Sequence, residues 1–173
     1  MPKLVDHDQR RRELGAAVWR VICARGPEAV TIRDVAAEAG WSSGALRHYL
    51  PTREELLVFA FRLAGERATE RIRAAGDAPV ERILEEAMPL DEPRRQEALI
   101  WFAFVGLAPS QPTLAAELDR VYRDIVDRLA ARIGDRERAS VLFAVVDGIT
   151  VQALAMPSLM TPERQRAALR SAL

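Results

Sequence analysis

A chain of 173 residues that is 49% apolar can bury a substantial core, and that composition excludes a disordered polypeptide. Its 25 basic residues match its 25 acidic ones, so net charge alone does not direct it to nucleic acid or to an acidic surface. The single cysteine, Cys23, rules out an intrachain disulfide and suits a reducing compartment.

The opening MPKLVDHDQRRREL is polar and charged, unlike a signal peptide. The longest apolar run, residues 98–109, falls short of the roughly 18–20 residues of a membrane span. A cytoplasmic protein with no membrane partner is therefore expected. Charge is slightly uneven: residues 1–50 hold eight Lys/Arg against six Asp/Glu.

Residues 6–26 read as a first helix, with Leu14, Ala17, Val18, Val21 and Ile22 as its core stripe and Gly26-Pro27 as its stop. Cys23 lies among these apolar residues and reads as a buried structural thiol; Trp19 reads as a packing residue. Arg10, Arg11 and Arg12 precede the stripe. They fit a solvated helix start, or a basic arm that touches phosphate or a minor groove.

Residues 31–50, TIRDVAAEAGWSSGALRHYL, read as two short helices joined by a tight turn. Thr31 stands where a hydroxyl caps a helix, and Asp34 is an imperfect capping-box partner. Gly40 falls where a helix ends in a left-handed residue. Ser42 and Ser43 give the next start signal. Leu46, Tyr49 and Leu50 supply the inward face of the second helix, which leaves Ser43, Gly44, Arg47 and His48 pointing outward. This is the pattern of a helix-turn-helix, whose second helix enters a DNA major groove. Small residues at its start let backbone N–H groups approach a phosphate, and Arg47 carries a donor fork that suits guanine or phosphate. On spacing alone an ordinary helical hairpin with a solvated face fits equally well.

Pro51 and then Thr52-x-x-Glu55 follow at once and open a long helix over residues 52–75, with Leu56, Phe59, Ala60, Leu63 and Ala64 in its stripe. Arg62, Glu66, Arg67, Glu70 and Arg71 read as a solvated, charge-paired face of that helix. The run from Thr31 through Gly40, Ser43, Gly44, Leu46, Tyr49 and Leu50 to Thr52 and Glu55 resembles the N-terminal domain of the TetR/AcrR family of bacterial transcriptional regulators. The resemblance covers residues 7–70. Members often carry a tyrosine pair or Tyr-x-His-Phe where this chain has Arg47, His48, Tyr49 and Leu50. It implies that the first helix supports the two helix-turn-helix elements, and that Arg53 lies beside the DNA-facing end, where a basic residue holds phosphate. The implied DNA-binding set is Thr31, Arg33, Ser42, Ser43, Gly44, Arg47, His48 and Arg53. Within it Thr31, Ser42 and Arg53 serve phosphates, and Ser43, Gly44 and Arg47 serve base edges.

The sequence 76–79, Gly-Asp-Ala-Pro, ends the long helix. Further helices are expected over 80–88, 92–106, 112–133, 135–156 and from 161 onward. The segment ALIWFAFVGLA is apolar all round, as a buried central helix would be. The runs LDEPRRQEALIWFAFV, DGITVQAL and MTPE resemble the C-terminal domain of the BetI-like branch of the same family. In that branch the last two long helices pair with their copies, which assigns residues 141–154 and 161–169 to self-association. A small molecule binds the C-terminal domain in the family, and Trp101, Phe104 and Tyr122 are the aromatic candidates for a pocket wall, with core packing as the plain alternative. The sequence displays no clear aromatic cage with a carboxylate. Asp147, alone on an apolar helix, fits a ligand contact or a cross-dimer hydrogen bond, the second favoured because a buried carboxylate needs partners.

No enzyme is expected. His7 and His48 are the only histidines, with no Cys or acidic partner at metal-ligand spacing, and there is no phosphate loop or nucleophile elbow. No cofactor and no metal are implied. The expected fold is all-α. It comprises an N-terminal three-helix helix-turn-helix DNA-binding domain over 1–51, a linking helix over 52–76, and a C-terminal helical ligand-binding and dimerisation domain over 77–173. The expected function is a homodimeric repressor on a pseudo-palindromic site in double-stranded DNA, released by a small-molecule effector not identified by the sequence. The alternative is a helical dimer that acts by protein association without operator binding.

Overall fold

The computed structural model describes residues 7–173, with side chains from Arg10 onward; Asp6 and the side chain of His7 lie outside the described residues. The described residues form α1 (His7–Arg25), α2 (Ile32–Ala39), α3 (Ser43–Tyr49), α4 (Arg53–Ala75), α5 (Val80–Glu85), α6 (Glu92–Leu107), α7 (Pro112–Ile133), α8 (Arg136–Ala155) and α9 (Pro162–Ala172). Short 3₁₀ turns at Pro27–Ala29 and Ala108–Ser110 complete the connections, and no strand occurs among the described residues. The chain divides into two compact units, one ending at Leu63 and the other beginning at Ala64, so the division falls inside α4.

In the first unit the α1 stripe packs as its spacing predicts: Leu14, Ala17, Val18, Val21 and Ile22 are all buried, beside Val35 and Ala36 of α2, Leu46 of α3 and Leu56, Leu57, Ala60 and Phe61 of α4. Full burial of each large apolar side chain contributes roughly 1.5–3 kcal/mol. Trp19 is buried with them, and its indole N–H donates to the Ala60 carbonyl at 3.1 Å. Gly15 explains itself by a close approach: a Cβ there would lie 2.2 Å from Leu63 Cδ2. Cys23 corrects the sequence reading. It is exposed, because it follows Val21 and Ile22 out of the buried arc of α1.

The second unit packs Leu84, Met88 and Leu90 against Val126 and Leu129 of α7, Leu142, Val146 and Ile149 of α8, and Leu169 of α9. Asp91 and Asp135 cap α6 and α8, accepting from the N–H groups of Arg94 and Arg138 at 2.9 Å each. Helix α8 has, among the described helices, the length and apolarity to cross a membrane. Its inward residues Leu142, Val146, Ile149 and Ala153 belong to the core of the unit. Its opposite side keeps Val141, Ala144, Gly148, Val151 and Ala155 exposed, a second apolar stripe of small residues at spacings of three and four.

A further correction concerns α4. Arg71 does not belong to a solvated face. Its guanidinium reaches Glu86 at 2.7 Å and both carboxylate oxygens of Glu97 at 2.9 and 2.5 Å. Hydrogen bonds to Glu97 first, and also to Glu86, hold the guanidinium pKa well above its ordinary value, against the opposing effect of burial.

A candidate DNA-reading surface and an acidic aromatic cluster

Both helices of the turn are started by hydroxyls. Thr31 Oγ1 accepts from the Asp34 N–H at 3.0 Å, and Ser42 Oγ accepts from the Ala45 N–H at 3.1 Å. The Thr31 hydroxyl donates in turn to the Asp34 carboxylate, and Arg25 donates to the same group at 3.1 Å. These two contacts, Thr31 foremost, hold the Asp34 carboxyl below the usual carboxylate range. Asp34 therefore accepts from the capping hydroxyl itself, where the Glu of a capping box accepts from the backbone N–H of the capping residue. Gly40 closes α2 at φ 69°, a left-handed conformation that side chains with a Cβ rarely adopt. The chain then turns through Trp41 into α3.

Leu46 is fully buried and anchors α3. Arg33, Gly44, Arg47 and His48 are exposed, and Ser43 is half-buried at the start of α3. The structure thus gathers Ser43, Gly44, Arg47 and His48 on the short α3. Thr31 and Ser42 remain exposed while their oxygens cap helices. Tyr49 departs from the inward role read from spacing. It is 39% exposed, edge-on to Trp41 at 5.5 Å, and its hydroxyl accepts from Arg10 at 3.0 Å. Arg10 also lies over the Trp41 ring at 5.8 Å, and Arg11 over Phe59 at 5.1 Å. These two arginines pack the start of α1 onto neighbouring rings, while Arg11 and Arg12 stay exposed, as in a solvated helix start.

Arg53 is half-buried. Its Nε donates to the Val30 carbonyl at 3.0 Å, and one terminal nitrogen donates to Pro27 at 2.9 Å and to Glu28 at 3.3 Å. It clasps the first turn of α4 to the segment ahead of α2. Among the described residues the second terminal nitrogen makes no such bond, so a phosphate can still approach it. Arg53→Ala is expected to cost the first unit about 1–2 kcal/mol in urea unfolding. Arg53→Lys should retain the charge and DNA affinity better than it retains stability, because an ammonium lacks the fork.

The three aromatic candidates of the second unit separate. Phe104 is 2% exposed and offers no face to an incoming molecule. Trp101 and Tyr122 are half-buried and meet through Phe143 of α8, at ring distances of 5.8 and 5.4 Å. The Tyr122 hydroxyl pairs with Ser140 at 3.3 Å. Asp147, one turn beyond Phe143, is half-buried, and the Trp101 indole of its own chain favours its charged form. Burial pushes its carboxyl up to about 6, against the opposing effect of the Trp101 indole. Phe143 was absent from the sequence-derived pocket, although its spacing of four from Asp147, weighed there as a ligand contact or a cross-dimer bond, places both on one face of a helix.

Comparison with known proteins accounts for both units. Residues 15–58 match the model of the bacterial regulatory proteins of the tetR family, and residues 76–173 match that of the BetI-type transcriptional repressor C-terminal domain. The chain is 37% identical to the HTH-type transcriptional regulator PksA of Bacillus subtilis (strain 168), over 95% of this chain and 88% of the relative. A transcriptional regulator from Rhodococcus sp. Rha1 superposes with a TM-score of 0.84 at 32% identity, covering 94% of this chain and 92% of that one. The multidrug binding protein EbrR, solved with ethidium, superposes with a TM-score of 0.71 at 29% identity, covering 95% and 98%. The chain belongs to the TetR family of DNA-binding transcriptional regulators, which are not enzymes, and carries a BetI-type C-terminal domain.

Proposed function

We propose that this regulator is a cytoplasmic homodimeric repressor that grips a pseudo-palindromic operator and lets go when a small molecule occupies the second unit. The observation that carries the reading is the set of half-buried Ser43 and exposed Gly44, Arg47 and His48 on α3, seated on a helix-turn-helix that Gly40, Thr31 and Ser42 hold in place. Ser43, Gly44 and Arg47 are assigned to base edges; Arg33 and His48 flank them. Thr31, Ser42 and the open end of Arg53 are assigned to phosphates. Arg47→Ala should cost about 1–3 kcal/mol on the preferred operator and much less on unrelated DNA, measured by fluorescence anisotropy. Equal losses on both would make Arg47 a phosphate contact.

Dimerisation is supported by the exposed stripe Val141, Ala144, Gly148, Val151 and Ala155. Small residues allow two such helices close approach, and a two-fold pair supplies the two recognition helices that half-sites about 34–36 Å apart, one helical turn of DNA, require. Val151→Glu buries an unpaired charge in that pair. Self-association in sedimentation equilibrium should weaken on the order of tenfold or more.

Release is supported by the ethidium complex of the EbrR relative. A ligand acts by preferring a spacing of the recognition helices that the operator does not fit, and it can lower DNA affinity only by its differential affinity for the two states. The direct test is anisotropy of operator DNA in the preformed complex, challenged with a panel of small molecules. Release by at least one, with the dimer intact, supports the reading. An operator complex indifferent to every molecule that binds the second unit contradicts it.

A further inference from the structure

Helix α3 has seven residues, and one of them, Leu46, is buried. A helix that short does not hold its shape or direction alone, so contacts from outside must set both. Its first end is fixed by the Ser42 cap and by the turn, where the Trp41 N–H donates to the Ala36 carbonyl at 2.8 Å. Leu46 fixes where the helix sits. Neither contact controls the direction of its last turn, which carries Arg47, His48 and Tyr49.

That last turn has a distant partner. Arg10 of α1 donates to the Tyr49 hydroxyl at 3.0 Å, across 39 positions of sequence. The same guanidinium lies over the Trp41 ring at 5.8 Å, and Trp41 meets Tyr49 edge-on at 5.5 Å. Arg10, Trp41 and Tyr49 thus close a triangle from the start of α1, the turn and the end of α3. A cleft of about 390 Å³ lies inside it, lined by these three residues with Glu13 and Ala45. The two helices do not pack side to side there, and the Arg10 side chain spans the gap. The task suits a guanidinium, which presents a flat face to a ring and donors along its edge at once; an ammonium is a single point of charge.

The position of the clamp links it to the DNA-reading side chains. Arg47 and His48 lie between the anchor at Leu46 and the clamp at Tyr49, and the His48 ring stands edge-on to Tyr49 at 5.6 Å. Hydrogen bonds weaken steeply with misplaced distance and angle, so a last turn free to rock would blur base contacts made from it. We infer that Arg10 is a positioning residue for sequence selection, which holds the last turn of α3 through Tyr49 and Trp41 and does not itself grip a phosphate.

The inference rests on the reading of α3 as the surface that selects DNA. The test uses the full chain, with the preferred operator and scrambled DNA at several salt concentrations. Arg10→Met and Arg10→Lys should each lower the preference for operator over scrambled DNA on the order of tenfold, the size of one good base contact. The salt dependence should stay that of wild type. A phosphate contact would behave otherwise: Arg10→Lys would keep the affinity, and Arg10→Met would weaken both DNAs alike and lower the salt slope by about one. Tyr49→Phe should also lose preference, and the double variant Arg10→Met with Tyr49→Phe should lose little more than Arg10→Met alone, because both remove the same contact. An arginine that served stability alone would lower the melting temperature and leave the preference of the folded protein unchanged.

Hydrogen exchange without DNA reads the clamp separately. The amides of residues 46–50 should exchange faster in Arg10→Met, with those of the buried α1 and α2 residues unchanged. Preserved preference in both Arg10 variants, additive losses in the double variant, a lowered salt slope, or unchanged exchange in α3 overturns the inference. A wild-type protein that selects no fragment sinks the reading of α3, and the exchange measurement then decides the clamp by itself.

Discussion

Arg71→Ala should cost about 3–5 kcal/mol, the penalty for removing one partner of a buried ion pair. The reason is what it leaves behind. The side chains of Glu97 and Glu86 are only 9% and 10% exposed. Glu97 loses both of its bonds to the guanidinium, and Glu86 loses one bond to its carboxylate and one to its carbonyl. Glu86 keeps Arg94 at 3.4 Å, so the larger share of the penalty falls on Glu97. Urea unfolding followed by circular dichroism measures the loss. The pair Arg71→Met with Glu97→Met should recover most of it, because removing both charges leaves neither stranded. A double variant as unstable as the single one would show that the stranded charge of Glu97 is not the source of the penalty.

Asp147→Asn should do the opposite and stabilise the protein by roughly 2–3 kcal/mol between pH 7 and 8. The folded chain holds the Asp147 proton up to about pH 6, whereas an unfolded aspartate releases it near its ordinary value of 3.8. Between these values the folded state binds more protons than the unfolded state, so this group makes stability fall as pH rises. The penalty is fully present above the folded value and gone below the unfolded one. Asparagine keeps the shape of the side chain and carries no charge to desolvate. Thermal melts of wild type and variant should therefore diverge at pH 7.5 and converge as the pH drops toward 4. Equal melting temperatures throughout would place Asp147 in contact with water or with an unrecognised cation. A carboxylate that destabilises its own fold is costly to keep, and sites of this kind are commonly functional.

These two carboxylate environments mark the limit of what the sequence displays. The helix-turn-helix was legible because its signals are local: Thr31, Gly40, Ser42 and Thr52 each act within four residues, on the backbone beside them. The caps of α6 and α8 were legible for the same reason. Arg71 was not, since its partners Glu86 and Glu97 lie 15 and 26 residues away, and its own helix offered acidic neighbours that made a solvated face the natural reading. The aromatic cluster failed in the same way. Trp101, Tyr122 and Phe143 come from three helices, and only packing brings them to Asp147. Cys23 and Tyr49 went wrong for a smaller reason. Both sit at the edge of an apolar stripe, where a turn of one residue about the helix axis decides between core and solvent. The Tyr49 hydroxyl and the Arg10 guanidinium then pair on the outside.

The central claim is that the α3 surface of this chain selects a DNA sequence. The most direct measurement is anisotropy of the purified protein with DNA fragments flanking its own gene, against scrambled fragments, at two salt concentrations. The account predicts one or more preferred fragments, with affinity falling steeply as salt rises because phosphate contacts release counterions. A folded dimer that binds every fragment with the same weak affinity, or binds none, would contradict it and favour a helical module that acts through protein association.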